Sequence, residues 1–151
     1  MQTYDSINDI TGAVIGCAFG MRNTYGRLML ESFYEHVMAI ELGLKGLKVE
    51  RQVPLDITHR GVVIPRAYYI DSVVNGKVAL EYKALPYMGG EEFRQLMTYM
   101  KISGLKVGLL INFGAKDFSI GKFEIRSHTL TKGIYRLVNG YESQPLVKTH
   151  P

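Results

Sequence analysis

Glu81, Tyr82 and Lys83 follow Asp71 across an Asn75-Gly76 turn. Residues two apart on a β-strand project to one face, so Glu81 and Lys83 set a carboxylate beside an ammonium. If the preceding strand brings Asp71 alongside, two acids can hold a divalent cation next to a fixed positive charge. Hard cations take oxygen ligands, and a bound cation polarises a phosphoryl oxygen and acidifies water. The set suits hydrolysis of a phosphodiester.

Asp71 joins it in only one register. A two-residue loop at Asn75-Gly76 pairs Val74 with Lys77 and Asp71 with Leu80, which turns Asp71 away from Glu81. The chemistry therefore requires one extra residue. Either a three-residue loop supplies it, as a type I turn with Gly76 in a G1 bulge, or the Asp71 strand itself is bulged.

The elements that must position these residues are two helices, a block of strands, a third helix and further strands. Ser6 with Asp9 forms a capping-box pattern ahead of Ile10, Ala13, Val14, Cys17 and Met21 at helical spacing. Leu30, Phe33, Val37, Ile40 and Leu44 predict a second helix from about Leu28 to Lys45, with Gly46 at its C-terminal end. Strands are expected over Val49 to Ile57, Val62 to Val74 with Pro65 at an edge or bend, and Val78 to Ala84. Gly89-Gly90 opens a helix from about Glu91 to Ser103, with Phe93, Leu96, Met97 and Met100 inward. The run Val107 to Phe113 reads as a central strand covered on both faces. Lys122 to Arg126 and Ile134 to Val138 are expected as short strands, and the last ten residues as frayed.

Composition bounds the answer. A chain of 151 residues, 46% hydrophobic, can bury one substantial core. The single Cys17 permits no intramolecular disulfide and suits a reducing cytoplasm. No apolar stretch is long enough for a membrane helix, and Asp5 and Asp9 at the start are unlike a secretory signal. The formal charge of +4 permits nucleic-acid binding without demanding it. Lys45, Lys48, Arg51, His59 and Arg60 form a loosely basic tract able to follow a phosphate backbone. His36, His59, His128 and His150 lack ligand spacing, which argues against zinc.

Four segments together carry a resemblance: Ile10 to Cys17 (ITGAVIGC), Leu30 to Tyr34 (LESFY), the Glu81-Tyr82-Lys83 strand and Gly104 to Gly114 (GLKVGLLINFG). In order and spacing they resemble the GxxExxY proteins of the PD-(D/E)XK nuclease superfamily, over about residues 7–126. The resemblance implies one α/β domain over residues 1–151, with 127–151 as a C-terminal extension. Its restriction-endonuclease-like core would be a mixed central sheet of about four to five strands flanked by helices, two of them N-terminal.

The resemblance also implies roles. Asp71, Glu81 and Lys83 would be the two acids and the lysine of the catalytic motif. Glu31 would help hold the metal or its water. Asp71, Glu81 and Glu31 are thus the expected metal-site carboxylates, for Mg²⁺ or Mn²⁺. Gln95 and Tyr99, one helical turn apart, would orient Lys83 or contact a nucleic-acid backbone, and Tyr34 would support the site by packing. The chain departs from the family pattern at Leu28, where glycine is usual, at Tyr82, where an apolar residue is usual, and at Glu92, where histidine is common. The expected function is metal-dependent cleavage of nucleic acid, DNA foremost, in repair, recombination or defence. The competing readings are a nuclease-fold protein without useful turnover that binds nucleic acid or a partner, and an interaction module of another kind. Cutting both strands of a duplex together would call for a homodimer.

Overall fold

Period-two alternation in one short strand divides the interior into two layers. A computed structural model describes residues 3–123 and 129–139. In chain order these form α1 (Ile7–Tyr25), α2 (Glu31–Leu44), β1 (Val49–His59), β2 (Val62–Val74), β3 (Val78–Lys83) and β4 (Met88–Gly89). Then come α3 (Gly90–Ser103), β5 (Val107–Asn112), β6 (Asp117–Gly121), β7 (Thr129–Leu130) and β8 (Lys132–Val138). On β3, Val78, Leu80 and Tyr82 pack with Ile10, Val14, Tyr34, Met38 and Leu42 of α1 and α2. Ala79 instead joins Leu96, Tyr99 and Met100 of α3. Glu81 and Lys83 share the Ala79 face, so the charged end of β3 lies on the α3 side.

The main sheet is mixed, in the order β1-β2-β3-β5-β8-β6, and β4 pairs with β7 apart from it. As expected for a covered central strand, every residue of β5 is buried; it runs parallel to β3 and antiparallel to β8. Gly108 permits the tight seat of α3, because a Cβ there would lie 2.7 Å from the Met100 sulfur.

Several boundaries differ from expectation. The sheet has six strands rather than four to five, and Asp117–Gly121, not expected as a strand, forms one of its two edges; Lys122 and Phe123 lie outside any strand. Phe118 fixes that edge: its ring stacks near Phe113 at 5.4 Å and lies over Gly133, where a Cβ would sit 2.3 Å away. Residues 124–126 and the last ten residues, expected as strand and as frayed, lie outside the described residues. The second helix starts at Glu31, not Leu28, and buries Tyr34, Met38 and Leu42; Ile40 and Leu44 of the expected stripe are exposed. The capping box of Ser6 and Asp9 forms as expected, and Gly46 closes α2 at φ +88°.

Candidate active site

The Asn75-Gly76 hairpin has the extra residue that the chemistry requires. Val74 pairs with Val78, so Asn75, Gly76 and Lys77 form a three-residue loop and the register runs on through Val73–Ala79 and Ser72–Leu80. One step further sets Asp71 opposite Glu81. The loop is not the expected type I turn, because Asn75 (φ +51°) and Gly76 (φ +63°) are both left-handed. Asn75 is held there by the residue just before β1: its amide donates to the Lys48 carbonyl at 2.8 Å, and its Oδ1 accepts from the Lys48 amide at 2.8 Å.

Main-chain pairing of β2 with β3 ends at Ser72–Leu80, and the two carboxylates replace it. The Asp71 amide donates to Glu81 Oε1 at 3.0 Å, and the Tyr82 amide donates to Asp71 Oδ2 at 2.9 Å. Each acid thus ties down the opposite strand with one oxygen. Glu81 is only 3% exposed. Burial, then the neighbouring Asp71, pushes its pKa up to about 8, although the Asp71 amide and Lys83 pull it down. Burial also raises Asp71, against the Tyr82 amide, which favours the ionised form.

Lys83 Nζ donates to Gln95 Oε1 at 3.1 Å, so the helix residue orients the lysine. Tyr99, one turn on, is buried; desolvation first and Glu81 second raise its pKa. Gln95 and Tyr99 are thus placed on the α3 face nearest Lys83 and Glu81. Glu31 opens α2; loss of water around it raises its pKa, Lys83 lowers it, and Asp71 and Glu35 raise it. Among the described residues, no three His, Cys, Asp or Glu side chains stand close enough to hold a metal ion together. Glu31 accordingly belongs to the outer part of the site, while Asp71 and Glu81 face each other at its centre.

Tyr34 is wholly buried, stacked on Phe113 at 4.2 Å. Its hydroxyl donates to the Gly26 carbonyl at 2.5 Å and accepts from the Met29 amide at 3.2 Å. These bonds pin Gly26 to Leu30 as the loop that delivers Glu31. They also explain why α2 begins late although leucine and methionine favour helix. Leu28, standing where the resemblance expects glycine, is 89% exposed on that loop.

Two contributors were missed in the sequence. Glu35, one turn after Glu31, is buried, accepts from Gln52 Nε2 at 2.9 Å and lies 3.7 Å from Arg51 Nε. Gln52 takes a left-handed φ of +49° on β1. The other is Asn112, buried at the end of β5. Its Oδ1 accepts from the amides of Leu85 at 2.9 Å and Gly114 at 3.1 Å, and its Nδ2 donates to the Leu85 carbonyl at 3.1 Å. It clamps the chain just beyond Lys83. The signal in the sequence was a lone amide closing an apolar strand.

Opposed carboxylates, a lysine on the same strand face and a glutamate at a helix start are groups that can bind a hard cation and stabilise negative charge on a phosphate. A family model described as the PD-(D/E)XK nuclease superfamily matches residues 8–123, which include Glu31, Asp71, Glu81, Lys83, Gln95 and Tyr99. No curated protein and no solved structure matches the chain. With most of its length matched, the chain belongs to the PD-(D/E)XK nuclease superfamily.

Proposed function

We propose that the protein is a metal-dependent nuclease that hydrolyses phosphodiester bonds in DNA. The carrying observation is the placement of Asp71 directly across from Glu81, with Lys83 two residues along the same strand face. The donor set fits Mg²⁺ or Mn²⁺: two carboxylates offer oxygen ligands. Burial raises both acids, with a neighbouring carboxylate adding to it at each, and a divalent cation would offset that cost. When bound, the cation supplies Lewis-acid polarisation of the phosphate and a more acidic water.

The remaining work falls to side chains. Asp71 and Glu81 would hold the cation, with Glu31 assisting from the start of α2. Lys83, kept in place by Gln95, faces the negative charge that builds on the phosphoryl oxygens as water attacks. Tyr34 and Asn112 act from behind, fixing the loop before Glu31 and the chain after Lys83. A cleavage panel tests the reading, with supercoiled, linear, branched and single-stranded DNA and RNA, each with Mg²⁺ or Mn²⁺. The expected result is metal-dependent cutting of DNA that is lost in Lys83→Ala. No cutting of any substrate by the folded wild type would contradict it.

A further inference from the structure

The β1–β2 hairpin is longer than the sheet it belongs to. Pairing between β1 and β2 continues to His59–Val62, whereas β2 meets β3 only through Ser72, Val73 and Val74. Counting on from the Ser72–Leu80 pair sets Lys83, the last residue of β3, level with Tyr69. The part of β2 from Val62 to Tyr68, with its β1 partners, therefore runs past the catalytic end of β3. At a strand rise of about 3.3 Å per residue this overhang is roughly 20 Å long. It begins beside Asp71 and Lys83, so it forms one wall of the space in front of the site.

Its chemistry is one-sided. From Leu55 to Ile70 the chain carries Arg60, Arg66 and His59 against a single acid, Asp56. Asp56 lies within the ribbon at its bulge and turns an oxygen onto the Arg66 amide at 2.8 Å. The tip is a tight turn with Arg60 (φ +50°) and Gly61 (φ +80°) both left-handed. A β-bulge after Leu55 coincides with Pro65 and with Arg66 at φ +51°. A left-handed arginine inside a strand is strained, and such strain and bulges re-aim side chains next to working sites. Val62, Val63 and Ile64 are exposed, as are Tyr68 and Tyr69. Tyr68 also rests on Tyr99 at 5.4 Å, which ties the ribbon to the helix that holds Lys83.

We propose that this ribbon is a grip for double-helical DNA, lying in the major groove beside the scissile phosphate. Arg60 and Arg66 contact backbone phosphates there, and the exposed aliphatic and tyrosine side chains face base edges and sugars. The B-form major groove admits a two-stranded ribbon, while the deep, narrow A-form groove does not, so the geometry selects duplex DNA over duplex RNA. The placement of the cleft rests on the nuclease reading above.

The test separates binding from cutting. Fluorescence anisotropy of a labelled DNA duplex, without divalent metal and across a salt series, is compared for wild type, Arg60→Asn/Arg66→Asn and Arg60→Lys/Arg66→Lys. Asparagine tolerates the left-handed backbone at both positions. Wild type should bind duplex DNA in preference to duplex RNA. The Asn pair should bind about tenfold or more weaker, with the slope of log K against log salt reduced by about 2, and the Lys pair should restore the slope. An unchanged slope in the Asn pair would overturn the proposal, as would equal binding of duplex RNA. So would sedimentation showing that the ribbon pairs two copies of the chain and that DNA binds elsewhere. Wild-type cleavage indifferent to the Asn pair would remove the grip and leave the nuclease reading standing. Arginine-dependent binding without cleavage would do the reverse.

Discussion

The Asp71 amide donates to the Glu81 carboxylate at 3.0 Å, while the Asp71 carboxylate accepts from the next amide after Glu81, that of Tyr82, at 2.9 Å. Two acids that would repel each other in isolation are thus held face to face where the main-chain ladder of β2 and β3 ends. Their proximity is built by the strands and maintained by hydrogen bonds that favour ionised oxygen. The two residues meet only because Lys77 is left over in the hairpin loop.

Glu81 should make the protein less stable as pH rises. Its pKa moves from 4.5 to about 8 on folding, so between those values the folded chain retains a proton that the unfolded chain has lost. Stability is then full below the lower value and declines as pH climbs towards the upper one. Glu81→Gln, which never ionises, should exceed wild type by on the order of 1–3 kcal/mol at pH 8 and match it near pH 4.5. Urea denaturation at both pH values checks this, and an equal difference at both would contradict it.

Lys83 and Gln95 should separate by the size of their effects. Lys83→Ala should lower kcat by roughly 100-fold or more with fold and DNA affinity retained. Gln95→Ala leaves the lysine in place but unoriented, and should cost about tenfold in kcat with little change in KM. Steady-state cleavage kinetics of the two variants, against circular dichroism as the folding control, decide between these outcomes.

Much of this site was legible in the sequence because β-strands have a period of two. The shared face of Glu81 and Lys83 followed from counting, and counting also showed that Asp71 could join them only if the hairpin held an extra residue. The left-handed Asn75 did not follow, since it depends on bonds to Lys48 just before β1, far away in sequence. Nor did the start of α2: leucine and methionine before Glu31 favour helix, and only the buried Tyr34 hydroxyl reveals that they form a loop. Glu35 was hidden for a similar reason. A glutamate on an amphipathic helix reads as surface charge until its partners Gln52 and Arg51 are placed beside it.

Tyr34→Phe should retain the stack on Phe113 and lose both hydrogen bonds to the loop before Glu31. A cost of about 1–2 kcal/mol is expected, with a fall in cleavage rate as Glu31 loses its fixed approach. Denaturant titration measures the first, and the second should appear in kcat.

Asn112→Ala should be more damaging. It leaves two amides and one carbonyl near Leu85 and Gly114 without their partner in a buried place. A loss of roughly 2–4 kcal/mol is expected. Asn112→Asp retains the acceptor for both amides and should recover part of it, which thermal unfolding of the two variants would show.

The most direct measurement is a calorimetric titration of Mn²⁺ into metal-free wild type and into Asp71→Asn. The pairing of Asp71 with Glu81 predicts saturable binding by wild type with release of the Glu81 proton below pH 8, since the cation requires the ionised carboxylate. That release should appear as a dependence of the observed heat on the buffer's ionisation enthalpy. Asp71→Asn, folded by circular dichroism, should lose the binding. No binding by folded wild type, or undiminished binding by the variant, would contradict a metal site between these two residues.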